Sequence, residues 1–229
     1  MRSHYRGLAV LALTLLLCGC GALDARRPVG VQVANLSADL PAVSVRVDGQ
    51  EVVVTSRTHQ PTLAYQQASI ELQLNPGLHR VEVIADGVSL LSHSQTFVEG
   101  RHASLQLLGR TGAAAAGQSL AWLVAQRVSD PDGDHAGLRF THALVGYDPV
   151  SVEVEPAGSA AQTVSASLAY GAVSSNDPLL VPRGAARLRV RHGETLLWDQ
   201  AYQLAAGTVY NFALSGASLA PTVVSWSGA

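Results

Sequence analysis

The pentapeptides V-S-V-R-V at residues 43–47 and V-S-V-E-V at residues 150–154 decide the fold of this chain. In both, valine alternates with a polar residue, which is the period of a β-strand with one buried and one solvated face. Similar short runs recur along the chain and stop at turn sequences such as D-G, N-P-G and P-R-G. The pattern predicts an all-β chain of half-buried antiparallel strands.

The two pentapeptides lie 107 residues apart, and the same spacing relates other parts of the chain. It matches Gly30 to Gly137, and it matches the Pro-Gly turn at residues 76–77 to the Arg-Gly turn at residues 183–184. A spacing that recurs in this way indicates a tandem duplication.

Each copy contains about seven short strand-like runs per hundred residues, which is typical of an immunoglobulin-like sandwich. We therefore expect two tandem immunoglobulin-like antiparallel β-sandwich domains, residues 29–128 and residues 137–229, joined by a linker at residues 129–136. With 48% hydrophobic and 14% charged residues, the chain has the composition of a globular protein.

The first 20 residues have the features of a bacterial export signal. Arg2 and Arg6 precede an apolar run from Leu8 to Leu17, which ends in L-C-G-C. The run is about half the roughly 20 residues that a membrane-spanning helix needs. L-C-G-C resembles a lipobox, in which the chain is cut before the last cysteine and that cysteine is acylated.

The resemblance to a lipobox implies a cleaved signal peptide at residues 1–19, a lipid such as palmitate on Cys20, and a membrane tether at residues 20–28. Gly21 stands where an Asp would resemble the signal for inner-membrane retention, so we expect a lipid-anchored outer-membrane protein. Ordinary cleavage near Cys20, with release as a soluble protein, is the alternative. Because Cys18 leaves with the signal peptide, the mature chain can form no disulfide and its fold depends on the core.

A family resemblance is carried by residues 35–45, N-L-S-A-D-L-P-A-V-S-V, and by V-D-G at residues 47–49. Together they resemble the N-A-S-P-D-A-P-A-V-D-V-Y-V-D-G signature of the domain of unknown function 4397 family. The second copy carries L-A-Y-G-A-V-S at residues 168–174 and L-A-A-G-T-V-Y at residues 204–210, but lacks S-P-D-A-P at residues 144–148. The resemblance implies a bacterial envelope protein built from tandem sandwiches, and it implies no catalytic residues.

Charge and motif content argue against several functions. A net charge of −2 gives no electrostatic basis for binding nucleic acid. The chain has no G-x-S-x-G, no H-E-x-x-H and no Gly-rich phosphate loop, and its histidines show no metal-ligand spacing. We therefore expect neither an enzyme nor a cofactor.

Three arginines alternate along one predicted strand, namely Arg187, Arg189 and Arg191. They lie on one face, roughly 6 to 7 Å apart by the strand rise. This row is a candidate anion site for phosphate or acidic sugar.

The charges in the two repeats suggest a structural use of these arginines instead. Arg46 and Glu82 in the first copy correspond to Glu153 and Arg189 in the second, so the two charges have exchanged. Such an exchange is expected when two side chains face each other across neighbouring strands, because opposite charges stabilise the pair and like charges repel. The anion site stays open as the alternative.

Three carboxylates alternate in the predicted linker, as the ligands of a calcium-binding loop do. They are Asp130, Asp132 and Asp134. An EF-hand loop that begins at Asp130 needs Gly at position 135 and Glu at position 141, where this chain has His135 and Thr141. The sequence favours a solvated linker, with a weak interdomain calcium site as the alternative.

Trp122, Trp198 and Trp226 are candidates for stacking on a carbohydrate. Trp198, however, shares its predicted strand face with Leu196 and Tyr202, which is a core pattern. We expect only Trp226 to be exposed.

These observations favour a non-enzymatic structural or binding module of the cell envelope, held to the membrane through Cys20. The alternative is a periplasmic or surface protein that binds glycan or another envelope ligand, and a hydrolase ranks third. Partners are then an envelope protein or a glycan, and not nucleic acid. A groove of exposed aromatic residues would favour glycan binding, whereas converging histidines and carboxylates would favour a hydrolase.

Overall fold

The computed structural model describes residues 27–52, 61–112, 118–127, 130–217 and 220–228. The predicted signal peptide at residues 1–19 and Cys20 lie outside these residues. Within the described ranges, no helix is long and apolar enough to cross a membrane.

The first half of the chain forms two facing sheets, which we call the first sandwich. One has the strand order β10-β9-β1-β5, with β6 also paired to β1, and the other has the order β3-β2-β7-β8, with β4 also paired to β2. The strand bounds are β1 Val29–Asn35, β2 Ala42–Val47, β3 Gln50–Glu51, β4 Thr62–Ala64, β5 Gln67–Ala68, β6 Leu72–Leu74, β7 Gly77–Ala85, β8 Val88–Phe97, β9 His102–Leu108 and β10 Ala121–Arg127.

The second half forms two sheets in the same way, which we call the second sandwich. Their strand orders are β14-β11-β17-β18 and β13-β12-β15-β16. The strand bounds are β11 His135–His142, β12 Val150–Pro156, β13 Gln162–Leu168, β14 Leu179–Pro182, β15 Gly184–His192, β16 Thr195–Leu204, β17 Val209–Ala217 and β18 Ala220–Gly228.

Each sandwich has an apolar core between its two sheets, and the all-β prediction is confirmed. Val31 and Leu105 from one sheet pack with Val45 and Val83 from the other in the first core. The strands are antiparallel except for β1 with β9 and β11 with β17, which are parallel pairs. The other sheet of each sandwich lies between these strands in the chain, so it supplies the long connection that a parallel pair needs.

The duplication extends to the strand ends and to an irregularity. β7 and β15 begin 107 residues apart, and so do β8 and β16. The pairing of β7 with β8 and that of β15 with β16 each contain one register slip at equivalent positions. The extra residue at the slip is Leu90 in β8 and Leu197 in β16. The slip changes which side chains face the core: Leu197 packs there, whereas Leu196 is exposed, so the prediction that Leu196 shares the core face of Trp198 is wrong.

The two sandwiches pack on each other through equivalent faces. Strand β2 alternates between buried and accessible residues as predicted, but β1 is buried at all seven positions. Its outward side chain Gln32 and the outward Ser104 of β9 are buried, and so are their counterparts Arg139 and Asn211 in the second sandwich. The prediction of half-buried strands is therefore wrong for these strands, because in each sandwich the other sandwich covers their outer face.

An apolar cluster and polar contacts join the two faces. The cluster consists of Ala34, Leu36, Leu108, Ala143 and Ala213, with Ala68, Leu123 and Trp226 packed against it. Across the same contact, Gln32 Nε2 donates to the carbonyl of Ser227 at 3.0 Å. Gln66 Nε2 donates to Ser215 Oγ at 3.1 Å.

Two tyrosines make reciprocal hydrogen bonds between the sandwiches, and we call this pair of contacts the tyrosine clasp. They are the tyrosines of the two L-A-Y tripeptides, Tyr65 and Tyr170. The Tyr65 hydroxyl accepts a hydrogen bond from the Gly216 amide at 2.8 Å, and the Tyr170 hydroxyl is hydrogen-bonded to the backbone of Gly109. Because Gly109 and Gly216 also correspond in the repeats, the two halves meet as the subunits of a symmetric dimer do.

Candidate functional site

The loop after the first strand of each sandwich is held by one buried polar side chain. In the first sandwich, Asn35 Oδ1 accepts from the Ser37 amide at 3.2 Å, and its Nδ2 donates to the Leu40 carbonyl at 2.9 Å. In the second, His142 Nδ1 accepts from the Leu144 amide at 3.3 Å, and its Nε2 lies 2.5 Å from a carbonyl five residues on. That carbonyl belongs to Tyr147 and can only accept, so the buried imidazole is neutral with its proton on Nε2. Burial lowers the pKa of His142.

The three arginines of the candidate anion site lie on β15 and are engaged by acceptors of the protein. Arg187 makes a bidentate contact with Asp199 at 2.6 and 2.9 Å. Arg189 donates to Glu155 at 2.6 Å, and Arg191 donates to the backbone carbonyl of Glu194 at 3.3 Å. The hydrogen bond from Arg187 is the main cause that lowers the pKa of Asp199, which is therefore ionised at neutral pH. An incoming anion would have to compete with two carboxylates.

The predicted exchange of charges is confirmed at the level of strand register. Arg46 lies opposite Glu82 on neighbouring strands, and Glu153 lies opposite Arg189. The shortest ion pairs, however, do not join directly opposite residues. Glu82 binds Arg80 on its own strand at 3.0 Å, and Arg189 binds Glu155, which lies diagonally across on the neighbouring strand, at 2.6 Å. The neighbouring charges thus form a small network rather than isolated opposite pairs.

A shallow cavity of about 340 Å³ lies beside these arginines. Its charged groups belong to Glu155, Arg187 and Arg189, and its apolar lining includes Ala186 and Ala201. Because both signs of charge are present, the cavity suits a polar ligand with donors and acceptors better than a simple anion. None of its lining residues is aromatic.

The carboxylates of the candidate calcium site have separate partners. Asp130 binds Arg127, and Asp134 lies 3.8 Å from Arg183. Asp132 Oδ1 accepts hydrogen bonds from the backbone amide of Asp134 and from the amide and ring of His135. The hydrogen bond from the Asp134 amide is the main cause that lowers the pKa of Asp132. Among the described residues, no group of three or more histidine, cysteine, aspartate or glutamate side chains could hold a metal ion. The segment at 130–135 is therefore a turn that is held internally by Asp132 and externally by Arg127 and Arg183.

The tryptophans do not form a common platform. Trp122 packs against the first core and Trp198 against the second, with its ring centroid 5.7 Å from that of Tyr202. Trp226, expected to be exposed, is half-buried in the cluster between the sandwiches. That expectation is wrong because the face of β18 is covered by a segment distant in the sequence.

Sequence reasoning missed a set of exposed apolar side chains around strand β8. Leu78 is 71% exposed and Val88 is 59% exposed, and Leu90 and Val98 are exposed as well. They belong to or adjoin β8, the last strand of a four-strand path, which pairs with β7 alone among the described strands. Their hydrophobicity alone predicts burial, and only the position of β8 at the sheet edge explains their exposure.

These features define a duplicated β-sandwich protein whose halves are joined through equivalent faces. The family is more specific than that class. Residues 29–153 match the family described as "Domain of unknown function (DUF4397)", and the chain belongs to this family. The resemblance drawn from residues 35–49 is thereby confirmed.

Among the solved structures similar to this chain are three from species of Bacteroides. A proposed cell adhesion protein from Bacteroides uniformis is 10% identical, with 91% of this chain and 99% of that chain covered and a TM-score of 0.26. Two further proposed cell adhesion proteins are similar. The one from Bacteroides ovatus has 12% identity, coverage of 88% and 96%, and a TM-score of 0.26, and the one from Bacteroides eggerthii has 8%, 89% and 95%, and 0.23. No match was found among curated proteins.

Proposed function

We propose that this protein is a non-enzymatic structural or binding module of the cell envelope, anchored in the outer membrane through acylated Cys20. The lipobox-like L-C-G-C supports the anchor. Cys20 resembles lipobox cysteines that receive three acyl chains. Three chains would hold the protein firmly in the membrane, since each buried methylene contributes about 0.8 kcal/mol. The proposal holds for either side of the outer membrane, the cell surface or the periplasm.

The observation that carries the proposal is the tyrosine clasp with the buried face around it. It joins two small sandwiches into one larger unit, with hydrogen bonds at equivalent positions of both repeats. Polar side chains such as Gln32 and Asn211 are buried in this contact, which favours a fixed arrangement of the two sandwiches over two domains joined only by a flexible linker. A fixed unit presents its exposed edges in a constant geometry to a partner.

Crosslinking in intact cells followed by capture of the mature protein tests the proposal. An envelope protein recovered repeatedly at one part of the sandwich surface supports a binding module. Capture of a low-molecular-mass product of enzymatic turnover, or release of the untreated protein from the membrane by salt alone, contradicts it. The matched control is the Cys20→Ser chain, which should lose any partner that depends on the membrane.

Glycan binding is the second candidate, and the cavity beside Arg189 favours it. The cavity offers guanidinium and carboxylate groups over an alanine lining, which can hydrogen-bond sugar hydroxyls. Titration of envelope oligosaccharides against the protein and against an Arg189→Ala variant tests this candidate. Equal binding by the two proteins places any sugar elsewhere.

A further inference from the structure

Strand β8 is a long sheet edge, whose outer side is contacted at Thr96 by the Gln126 side chain of β10. It ends the strand order β3-β2-β7-β8, and within the described residues it pairs with β7 alone. Its pairing with β7 runs without a register slip from Leu91 to Phe97. Ser92, His93 and Ser94 in the middle of this stretch are all exposed.

Several other edges of the described sheets carry features that discourage pairing with another chain. Strands β3 and β5 have two residues each, and β13 is interrupted by two register slips. Among the longer edges, β14 ends in Pro182, β16 contains Asp199 and β18 contains Pro221. Strand β8, with the sequence V-S-L-L-S-H-S-Q-T-F, contains neither a charged residue nor a proline.

The backbone groups of β8 that face outward can be assigned from one hydrogen bond. The carbonyl of Thr96 accepts from the side chain of Gln126 at 3.0 Å, so it points away from β7. Backbone groups of alternate residues in an antiparallel strand point to the same side. Ser94 and Ser92 therefore also direct their amide and carbonyl groups toward the open edge.

We propose that β8 is a self-association edge, which pairs antiparallel with β8 of a second copy of this chain. In the pairing we infer, a two-fold axis passes between the two copies of His93, and Ser92 of each chain exchanges backbone hydrogen bonds with Ser94 of the other. Two four-strand paths then become one continuous sheet across the two molecules. The pairing is independent of the proposed membrane anchor, because it uses only β8.

A second copy fits this edge because of its charge and its apolar ends. A strand without charged residues brings no like charges together when it meets itself, whereas a pairing of β16 would bring two copies of Asp199 close. The antiparallel register also brings the exposed Val88 at one end of β8 near the exposed Val98 beyond the other end. This contact occurs twice in the dimer, once on each side of the two-fold axis.

A single cysteine on the axis tests the pairing in the full-length chain. His93→Cys would place two cysteines directly opposite each other in a pair without backbone hydrogen bonds, about 4.5 Å apart at Cα, which is within the range that a disulfide spans. We expect a covalent dimer on mild oxidation in membranes, on a non-reducing gel. The matched control is Gln200→Cys, at the equivalent position of the edge strand β16, which should stay monomeric along with the unmodified chain.

A second variant separates specific pairing from random collision. Adding Ser94→Lys to the His93→Cys chain places a charge on the edge of each copy and should reduce the dimer at least tenfold, while a Ser94→Thr change should preserve it. Equal crosslinking by the two cysteine variants, no dimer with His93→Cys, or a dimer unaffected by the lysine overturns the proposal. An adduct of the His93→Cys chain with a different protein, without a dimer, also overturns it. Sedimentation of the unmodified chain in detergent gives an independent check, and a monomer at every concentration contradicts the pairing.

Discussion

Replacement of His142 by Asn should remove an acid-sensitive element from the second sandwich. Asn35 makes the same two hydrogen bonds in the first sandwich, to the amide two residues on and to the carbonyl five residues on. The His142→Asn chain should therefore fold and keep both loop contacts. The variant lacks only the ability to take up a proton at this position.

The sign of the pH effect follows from the burial of the imidazole. Burial lowers the pKa of His142 below its ordinary value of 6.5, and the hydrogen bond to Tyr147 and the charge of Asp148 oppose that shift without cancelling it. Below pH 6.5 the unfolded chain then binds more protons at this residue than the folded chain does. Stability is present in full above pH 6.5 and is lost as the pH falls below it. Protonation would also place a hydrogen on Nδ1, against the amide of Leu144.

The size of the effect is limited by one proton. A single site changes the free energy of unfolding by at most about 1.4 kcal/mol per pH unit, so the loss between about pH 6.5 and about pH 5.5 is on the order of 1 kcal/mol. Carboxylates with lowered pKa, such as Asp39 and Asp48, start from an ordinary value of 3.8 and lose their contribution only at more acidic pH. They are also common to both chains and cancel in the comparison.

Urea unfolding at about pH 7.5 and about pH 5.5 measures the difference. We expect the wild-type protein to lose more stability on acidification than the His142→Asn chain does. The reverse variant, Asn35→His, is the matched control and should add a pH dependence to the first sandwich. Equal pH dependence in the wild-type and His142→Asn proteins would refute the assignment of a buried neutral imidazole.

Three further outcomes are expected. Cys20→Ser should abolish acylation and move the protein from the membrane to the soluble fraction; unchanged fractionation, or an intact mass with unmodified cysteine in the wild-type protein, contradicts the lipid anchor. Arg189→Glu should reduce the free energy of unfolding by about 0.2 to 1 kcal/mol, since it removes the ion pair with Glu155 and places a carboxylate opposite Glu153. Glu153→Arg in the same chain should restore part of the loss, and a double variant as unstable as the single one argues against direct coupling of positions 153 and 189. Tyr65→Phe and Tyr170→Phe should each lower the free energy of unfolding by about 0.5 to 1.5 kcal/mol, since each removes one hydrogen bond. Amide hydrogen exchange should become faster at the glycine across the contact, and unchanged exchange in the double variant means that the tyrosine clasp does not stabilise the contact.

Strand positions could be predicted from the sequence because strand periodicity is a local property. The alternation in residues 43–47 places successive side chains on opposite faces whatever the rest of the chain does. The repeat spacing then locates the second copy of each strand, and β15 begins at the residue expected from β7. The facing of Glu153 and Arg189 was also predictable, since exchanged charges in two repeats report on neighbouring strands.

The candidate site could be predicted only in part. The sequence places Arg187 and Arg189 on one strand face, but it does not say which carboxylates reach them. Asp199 meets Arg187 because β16 pairs with β15 in a particular register, and a bulge at Leu197 sets which side chains of β16 face the core. One extra residue at that point reverses the facing of its neighbours, and local alternation gives no sign of it.

By itself, the sequence determined the alternating strands and their turns, because these depend on residues close together in the chain, and it revealed the duplication through the 107-residue spacing of similar segments. Only the tertiary structure decided that the outer faces of β1 and β11 are covered, because the covering surface comes from the other repeat, as when Gln32 binds Ser227. It also decided that Tyr65 and Tyr170 act across that contact, and that β8 ends its sheet and pairs with β7 alone among the described strands. A pattern of polar and apolar residues records whether a side chain suits water, but the partner that removes the water is fixed by how distant segments pack.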